Sequence, residues 1–240
     1  ANGTKAMRQS IRKTVVYLSL FLFPITMNFL SPYVSIDGAM AGVLSGSMLV
    51  FFALFLSGLF FGRAWCGWVC PAAGVAELSL GVNAKPVNRK RLQIVRYSIF
   101  AVWFSVIVLG FVLAGGIKGV DPLRLTENGI SVDEPVKYII YYFVLLLIFV
   151  LDITVGRRGA CHAVCWMSPF LTAGTWLGRK LHLPQLQIKA KTEACIDCKK
   201  CTQKCPMSID VNAEDKHGKV LSYDCVLCGE SVGVCPKGVL

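Results

Sequence analysis

The sequence predicts an all-helical membrane fold followed by a small cysteine-rich domain. Three observations carry this. Apolar residues make up 55% of the 240 residues and charged ones only 16%, with a mean hydropathy of +0.59, values that suit a multi-span membrane protein with a polar appendage. Four apolar runs recur along residues 14–156, and the stretches after the second and the fourth are alike. The 11 cysteines fall into four short groups.

Residues 1–13 are polar and basic and are expected to be a cytoplasmic segment. The first apolar run, Val15 to Leu30, is broken only by Ser19, Thr26 and Asn28, with a kink expected at Pro24. A basic head before an apolar run also suits a secretory signal. No small-residue cleavage site follows, and a second run comes soon after, so a transmembrane helix is the reading. Residues 31–38 read as a short loop. Ala39–Phe61 is the second span, and its Gly42, Ser45, Gly46, Ser47, Ser57 and Gly58 suit close helix packing in lipid. A cytoplasmic segment over residues 62–96 carries six basic residues. Tyr97–Ile117 is the third span, residues 118–137 are a mixed-charge loop, and Tyr138–Val155 is the fourth span. Asp152 near its end is expected to pair with Arg157 or Arg158. Crossing about 30 Å of hydrocarbon takes about 20 apolar residues, which each run approaches or meets.

The net charge of +11 does not mark a nucleic-acid face. Residues 192–240 hold seven acids and six bases, and the excess lies beside the apolar runs: Lys5, Arg8, Arg12 and Lys13, then Lys85, Arg89, Lys90, Arg91 and Arg96, then Arg157 and Arg158. The 31–38 loop has no base, and the three in 118–137 are offset by four acids. Basic flanks mark the cytoplasmic side, so both termini and all cysteine groups are expected there, in a multi-pass protein of the cytoplasmic membrane in contact with lipid. Thiolate-bound clusters also need a reducing compartment.

The membrane part reads as a duplication. The second span ends in Gly62-Arg63-Ala64-Trp65-Cys66-Gly67-Trp68-Val69-Cys70-Pro71. The fourth ends in Gly156-Arg157-Arg158-Gly159-Ala160-Cys161-His162-Ala163-Val164-Cys165-Trp166. Each unit is helix, outer loop, helix, arginine, C-x3-C and a short helical stretch closed by Gly81 or Gly178. Two such hairpins related by an axis along the membrane normal bring the cysteine pairs together. On a helix, residues i and i+4 share a face, so Cys66, Cys70, Cys161 and Cys165 are expected to present four thiolates to one point. That set suits a [4Fe–4S] cluster, zinc or redox disulfides; free cysteines are otherwise often buried small hydrophobes. Residues 157–191 then form a connector, with a helix lying along the membrane surface through Trp166, Phe170, Leu171, Trp176 and Leu177, ended by Pro184.

The last domain, residues 192–240, opens with Cys195, Cys198, Cys201 and Cys205-Pro206, which is C-x2-C-x2-C-x3-C-P, the bacterial-ferredoxin spacing. Three thiolates on one tight loop hold one cube, and the fourth serves a second. A partner motif follows at Cys225, Cys228 and Cys235-Pro236. C-x2-C pairs also suit zinc, but a 2-2-3 spacing closed by proline and then repeated is the iron–sulfur pattern.

Four spans, the Trp65–Pro71 motif, a second C-x3-C and a two-cluster ferredoxin-like segment together resemble the membrane polyferredoxin family. That family includes the quinol-dehydrogenase subunit of periplasmic nitrate reduction, the membrane domain of the nitrous-oxide reductase regulator and a cytochrome-oxidase assembly protein. The resemblance implies one cluster on Cys195, Cys198, Cys201 and Cys235 and a second on Cys205, Cys225 and Cys228. The chain departs from the pattern twice. Trp166 stands where a proline usually follows the second C-x3-C, with Pro169 coming later. Ser231 stands where the second cluster's fourth cysteine belongs, so that cluster is serine-ligated, reduced to [3Fe–4S], unusually low in potential, or absent.

The chain has three histidines, His162, His182 and His217, none in an expected span, and no C-x-x-C-H, so neither b-type nor c-type haem is expected. His162 reads as a surface residue. No G-x-G-x-x-G or Walker A motif is present. The expected function is electron transfer between cytoplasmic-side clusters and a membrane quinone pool or a partner redox protein, as a redox subunit resembling a quinol dehydrogenase. The alternative is a maturation factor that binds or reduces a transition metal at the four membrane cysteines; a structural anchor for a soluble redox partner leaves those cysteines unexplained. No catalytic or quinone-binding residue is marked by any pattern.

Overall fold

The computed structural model describes residues 2–215 and 217–240. Helix α1 (Asn2–Phe21) runs through the polar segment into the first apolar run and stops at Phe21. The expected span to Leu30 is thereby broken into α2 (Phe23–Thr26), with Pro24 in its first turn, and a 3-10 turn over Asn28–Leu30. Residues 31–38, expected as a loop, are mostly helical: α3 (Pro32–Met40) again opens on a proline. Gly42, at a φ of +69°, turns the chain beyond its end. Strand β1 (Val43–Ser45) follows, so the expected span Ala39–Phe61 shortens to α4 (Gly46–Phe61).

Next come α5 (Ala64–Trp68), α6 (Pro71–Ser79) and α7 (Arg89–Leu113). Helix α7 starts ahead of Tyr97 because the Asn88 side chain accepts from the Arg91 N–H and caps it. Strand β2 (Gly119–Asp121) pairs in parallel with β1, Val43 opposite Gly119, and ties the expected 118–137 loop to the start of the expected second span. Then follow α8 (Pro135–Val155), α9 (Gly159–Ala163) and α10 (Ser168–Lys180).

Among the described residues, α7 and α8 are the helices long and apolar enough to cross a membrane. Only 22% and 11% of their most apolar stretches are buried in the protein, so these are not the hidden helices of a soluble core. Helix α4 is as apolar but shorter, at 16 residues, and α1 is apolar only in its second half. The sequence's four full spans are thus two full-length helices and two shorter ones.

The duplication survives in the packing, with an exchange. Helix α10 lies along α4, not on a membrane surface as expected. Phe51 stacks on Phe170 at 5.4 Å, and a Cβ on Gly174 would fall 2.2 Å from the Phe55 carbonyl oxygen. A Cβ on Gly178 would fall 2.5 Å from that of Leu59, so Gly178 is a packing contact inside α10 and not the helix end. The contacts advance in step along both helices, which therefore run in the same direction. Helix α6 correspondingly packs between α1 and α8. Each half lends its post-cysteine helix to the second long helix of the other half.

The cysteine-rich domain carries α11 (Lys200–Lys204), α12 (Val211–Asp215) and α13 (Glu230–Val234). It sits at the end of the bundle formed by the starts of α1 and α7. One continuous buried cluster runs from Phe51 and Trp103 through Cys66 to Cys201, Met207 and Val226, so bundle and domain share a core.

Candidate functional site

The cysteine-rich domain repeats its backbone residue for residue. Asp197 and Lys199 take left-handed φ values of 50° and 55°; their counterparts Leu227 and Gly229 take 52° and 74°. These turns wrap each loop so that successive cysteines face one space. Each loop feeds a five-residue helix, with Cys201 in α11 and Ser231 in α13, both buried. Cys205 and Cys235 then leave in matching extended conformations before Pro206 and Pro236.

Two cavities result, each with about 330 Å³ of unfilled space. Cys195, Cys198, Cys201 and Cys235 line one. Cys205, Cys225, Cys228 and Ser231 line the other. Cys235 thus faces the space of the first loop and Cys205 that of the second.

The membrane cysteines meet as well, though not as i, i+4 pairs on single helices. Cys66 lies in α5, whereas Cys70 lies beyond it in an extended conformation, with ψ of 125°, at the start of α6. Cys161 lies in α9, and Cys165 follows that helix. Pro71 starts α6 directly after Cys70, whereas α10 starts only at Ser168, with Pro169 in its first turn; the displaced proline lengthens the second turn. All four cysteines line one cavity, together with Arg63 and Arg158. None of the four is in a disulfide. Beyond the cysteines and the two arginines its walls are largely apolar, from Met27, Leu30, Ile140, Val144 and Leu147.

Two of the three cavities are adjacent. Met207 and Val226 line both the quartet cavity and the Cys205–Ser231 cavity, so one layer of side chains separates them. The docking around that wall is close. A Cβ on Gly67 would lie 2.3 Å from the Val226 carbonyl oxygen, which requires glycine there. The Trp68 indole donates to the Leu227 carbonyl at 3.1 Å and Gln9 to that of Cys228 at 2.9 Å.

Two buried charge clusters hold this docking. Asp224 accepts from Arg63 at 2.8 Å and Arg96 at 3.1 Å, with Arg89 at 3.3 Å. Burial alone would raise its carboxyl; the three guanidinium groups overcome that and hold it well below the usual carboxylate range. On the other side Arg12 bridges Glu77 at 2.8 Å and Glu230 at 3.0 Å, and Arg158 donates to the Cys66 carbonyl at 3.1 Å. Arg12, Arg63, Arg96 and Arg158 are all fully buried, which the sequence, reading Arg12, Arg96 and Arg158 as membrane flanks, did not anticipate. The available signal was position: Arg63 and Arg158 each stand three residues before the first cysteine of a pair. Asp152 makes neither expected ion pair; its carboxylate accepts from the Ala160 N–H at 2.9 Å while Arg158 turns toward Glu77. His162, expected at the surface, is fully buried, and burial, partly offset by Asp224, lowers its pKa to about 3.

Burial pushes the thiols of Cys66, Cys70, Cys161 and Cys225 up, the last to about 12. Such thiols ionise when a metal replaces the proton. Among the described residues no three Cys, His, Asp or Glu side chains converge as a single ion would require. They ring cavities instead. A cube binds each thiolate at a different corner, so a ring of sulfurs around a space is the donor set that it fits.

Residues 44–90 match the model of a 4Fe-4S binding domain, and residues 194–240 match that of a 4Fe-4S dicluster domain. Cys66 and Cys70 lie in the first match and the cysteines of the last domain in the second, whereas Cys161 and Cys165 lie in neither. Among relatives, the chain is 28% identical to the ferredoxin-type protein NapH of Haemophilus influenzae, over 74% of this chain and 61% of that one. It is 27% identical to the methylamine utilization ferredoxin-type protein MauN of Methylorubrum extorquens, over 72% and 59%. YccM of Escherichia coli is 25% identical, over 85% and 57%. The chain is thus similar to iron–sulfur electron-transport proteins of the membrane polyferredoxin type. It spans about six tenths of the length of the curated relatives it matches. No solved structure matches it.

Proposed function

We propose that the chain is a membrane-bound electron relay between cytoplasmic-side iron–sulfur clusters and a quinone or partner redox protein. The observation that carries this is the set of three cysteine-lined cavities, two of them sharing the wall of Met207 and Val226. Cys195, Cys198, Cys201 and Cys235 hold the outer cluster; Cys205, Cys225 and Cys228 hold the inner one; Cys66, Cys70, Cys161 and Cys165 hold a third. Bound clusters supply one-electron carriage. The chain's own contribution is to fix their order, to exclude water with apolar walls and to place guanidinium groups beside the added negative charge.

Helices α1, α4, α7 and α8 cross or enter the membrane, with both termini and every cysteine group on the cytoplasmic side. The outward apolar faces of α7 and α8 contact lipid. Helix α4, at roughly 24 Å from its rise per residue, falls short of the hydrocarbon thickness, and β1 and α3 complete its path. The apolar side of the quartet cavity, between α8 and the 3-10 turn, is where a quinone ring would sit.

Anaerobic purification and redox titration followed by paramagnetic resonance test this. The expected result is iron and acid-labile sulfide for three centres and reduction of the bound clusters by a water-insoluble quinol analogue. Protein without acid-labile sulfide after anaerobic reconstitution overturns the reading.

A further inference from the structure

Ser231 occupies the position in α13 that Cys201 occupies in α11. Both are the second residue of a five-residue helix entered through a left-handed residue, Gly229 or Lys199. Their cavities have the same unfilled space, about 330 Å³. Both side chains line their cavity and both are buried, 6% exposed for Ser231 and 8% for Cys201. The fold has therefore kept the fourth ligand position and changed only its atom. Oxygen is smaller than sulfur and its bond to Cβ is shorter, so from an unchanged backbone the ligand atom stops short of the corner iron.

An ionised serine would bind that iron more firmly, but the surroundings do not favour one. The cavity wall comprises Ile188, Ile209, Val211, Val220 and Val226, and no lysine or arginine lines it. Outside the wall, the Arg8 guanidinium donates to the Gly229 carbonyl at 3.2 Å, and Arg12 is engaged by Glu77 and Glu230. A serine hydroxyl is a harder and far less acidic group than a thiol, so it yields its proton to iron far less readily than the cysteines of the same wall, and a neutral hydroxyl is a poor ligand for iron.

We infer that the inner centre is a cube with one labile corner, which becomes a [3Fe–4S] cluster on mild oxidation, and that Ser231 is the residue that makes it so. The inference rests on the two-cluster reading of residues 194–240. The step balances as [4Fe–4S]2+ going to [3Fe–4S]+, one Fe2+ and one electron. The electron passes to an added one-electron oxidant such as ferricyanide, and the iron leaves to solvent. Cys205, Cys225 and Cys228 keep the remaining three irons.

The test uses the full chain, reconstituted anaerobically with iron and sulfide, then oxidised with ferricyanide in the presence of a ferrous chelator. Wild type is expected to release one iron per chain and to show the near-isotropic paramagnetic signal of an oxidised three-iron cluster. Ser231→Cys should keep its iron and lose the signal. Ser231→Ala should behave as wild type, because the hydroxyl holds nothing. Retention of all iron by wild type, or its loss only in Ser231→Ala, shows a serine-ligated cube and overturns the inference. If wild type and Ser231→Cys both bind too little iron for two clusters beyond the membrane quartet, the two-cluster reading fails and the inference fails with it.

Discussion

Replacing Asp224 by asparagine removes one carboxylate from beneath three guanidinium groups. Asp224 is 1% exposed, and Arg63 and Arg96 are 2% and 1% exposed, so water cannot take over the lost charge. Removing one partner of a buried pair costs about 3–5 kcal/mol, because the other is left uncompensated. At about 1.4 kcal/mol per factor of ten, local opening of this docking contact rises by roughly two to three and a half powers of ten. The affected backbone is the strip 222–229, which carries Cys225 and Cys228 and faces α5. Hydrogen exchange of that strip, followed by mass spectrometry in detergent at neutral pH, reads the change directly. The amides of β1 and β2, at the opposite end of α4 from Arg63, should keep their protection and serve as the internal control. If the 222–229 amides exchange within about threefold of wild type, the clamp contributes no more than an exposed ion pair would, and the reasoning from burial is wrong.

Three further outcomes follow from the same structure. Changing Cys66 and Cys161 together to serine should remove about one cluster's iron and sulfide while leaving the spectrum of the 194–240 clusters intact; loss of copper or zinc instead of iron would favour the metal-handling alternative. Gly174→Val drives a side chain into the Phe55 carbonyl, where even a Cβ would lie at 2.2 Å, and should lower the thermal midpoint by an amount corresponding to about 1–3 kcal/mol; an unchanged midpoint would mean that α4 and α10 are not held together as described. Arg12 and Arg158, against the opposing effect of burial, lower the Glu77 pKa, so the stability it contributes is present above the ordinary glutamate pKa, about 4.3, and is lost as pH falls through the lowered value. Glu77→Gln should therefore flatten the acid limb of a thermal-stability profile, and a profile identical to wild type would count against the Arg12–Glu77 bridge.

The two cysteine runs were legible from their spacing, because a 2-2-3 run is a tight loop; how they pair came only from the resemblance. The duplication was legible because Gly-Arg and C-x3-C recur after two apolar runs. What the sequence hid were matters of local termination and of three-dimensional burial. Pro24, Pro32 and Gly42 break the first two apolar runs into pieces that hydropathy averages together. The i, i+4 argument failed at Cys66 and Cys70 because α5 ends at Trp68, before the second cysteine. Arg12, Arg96 and Arg158 read as solvated flanks because their acidic partners, Glu77, Asp224 and Glu230, lie far away in the chain. Position 162 drew the same misreading: a histidine beside a cysteine looks ordinary until α9 folds it inward.

The exchange of α6 and α10 also governs how the chain can be divided. Each half carries a helix whose resting place is on the other half, so neither half alone closes its core. A first half ending near Asn83 would leave the face of α4 around Phe51, Phe55 and Gly58 bare and α6 without α8. A second half would leave Phe170 and Gly174 with nothing to stack on. Cut between α6 and α7 and produced together, the two pieces each hold what the other lacks, so they are complementing fragments rather than independent modules. An ancestor of a single half would have closed the same way, by trading that helix with a second copy of itself.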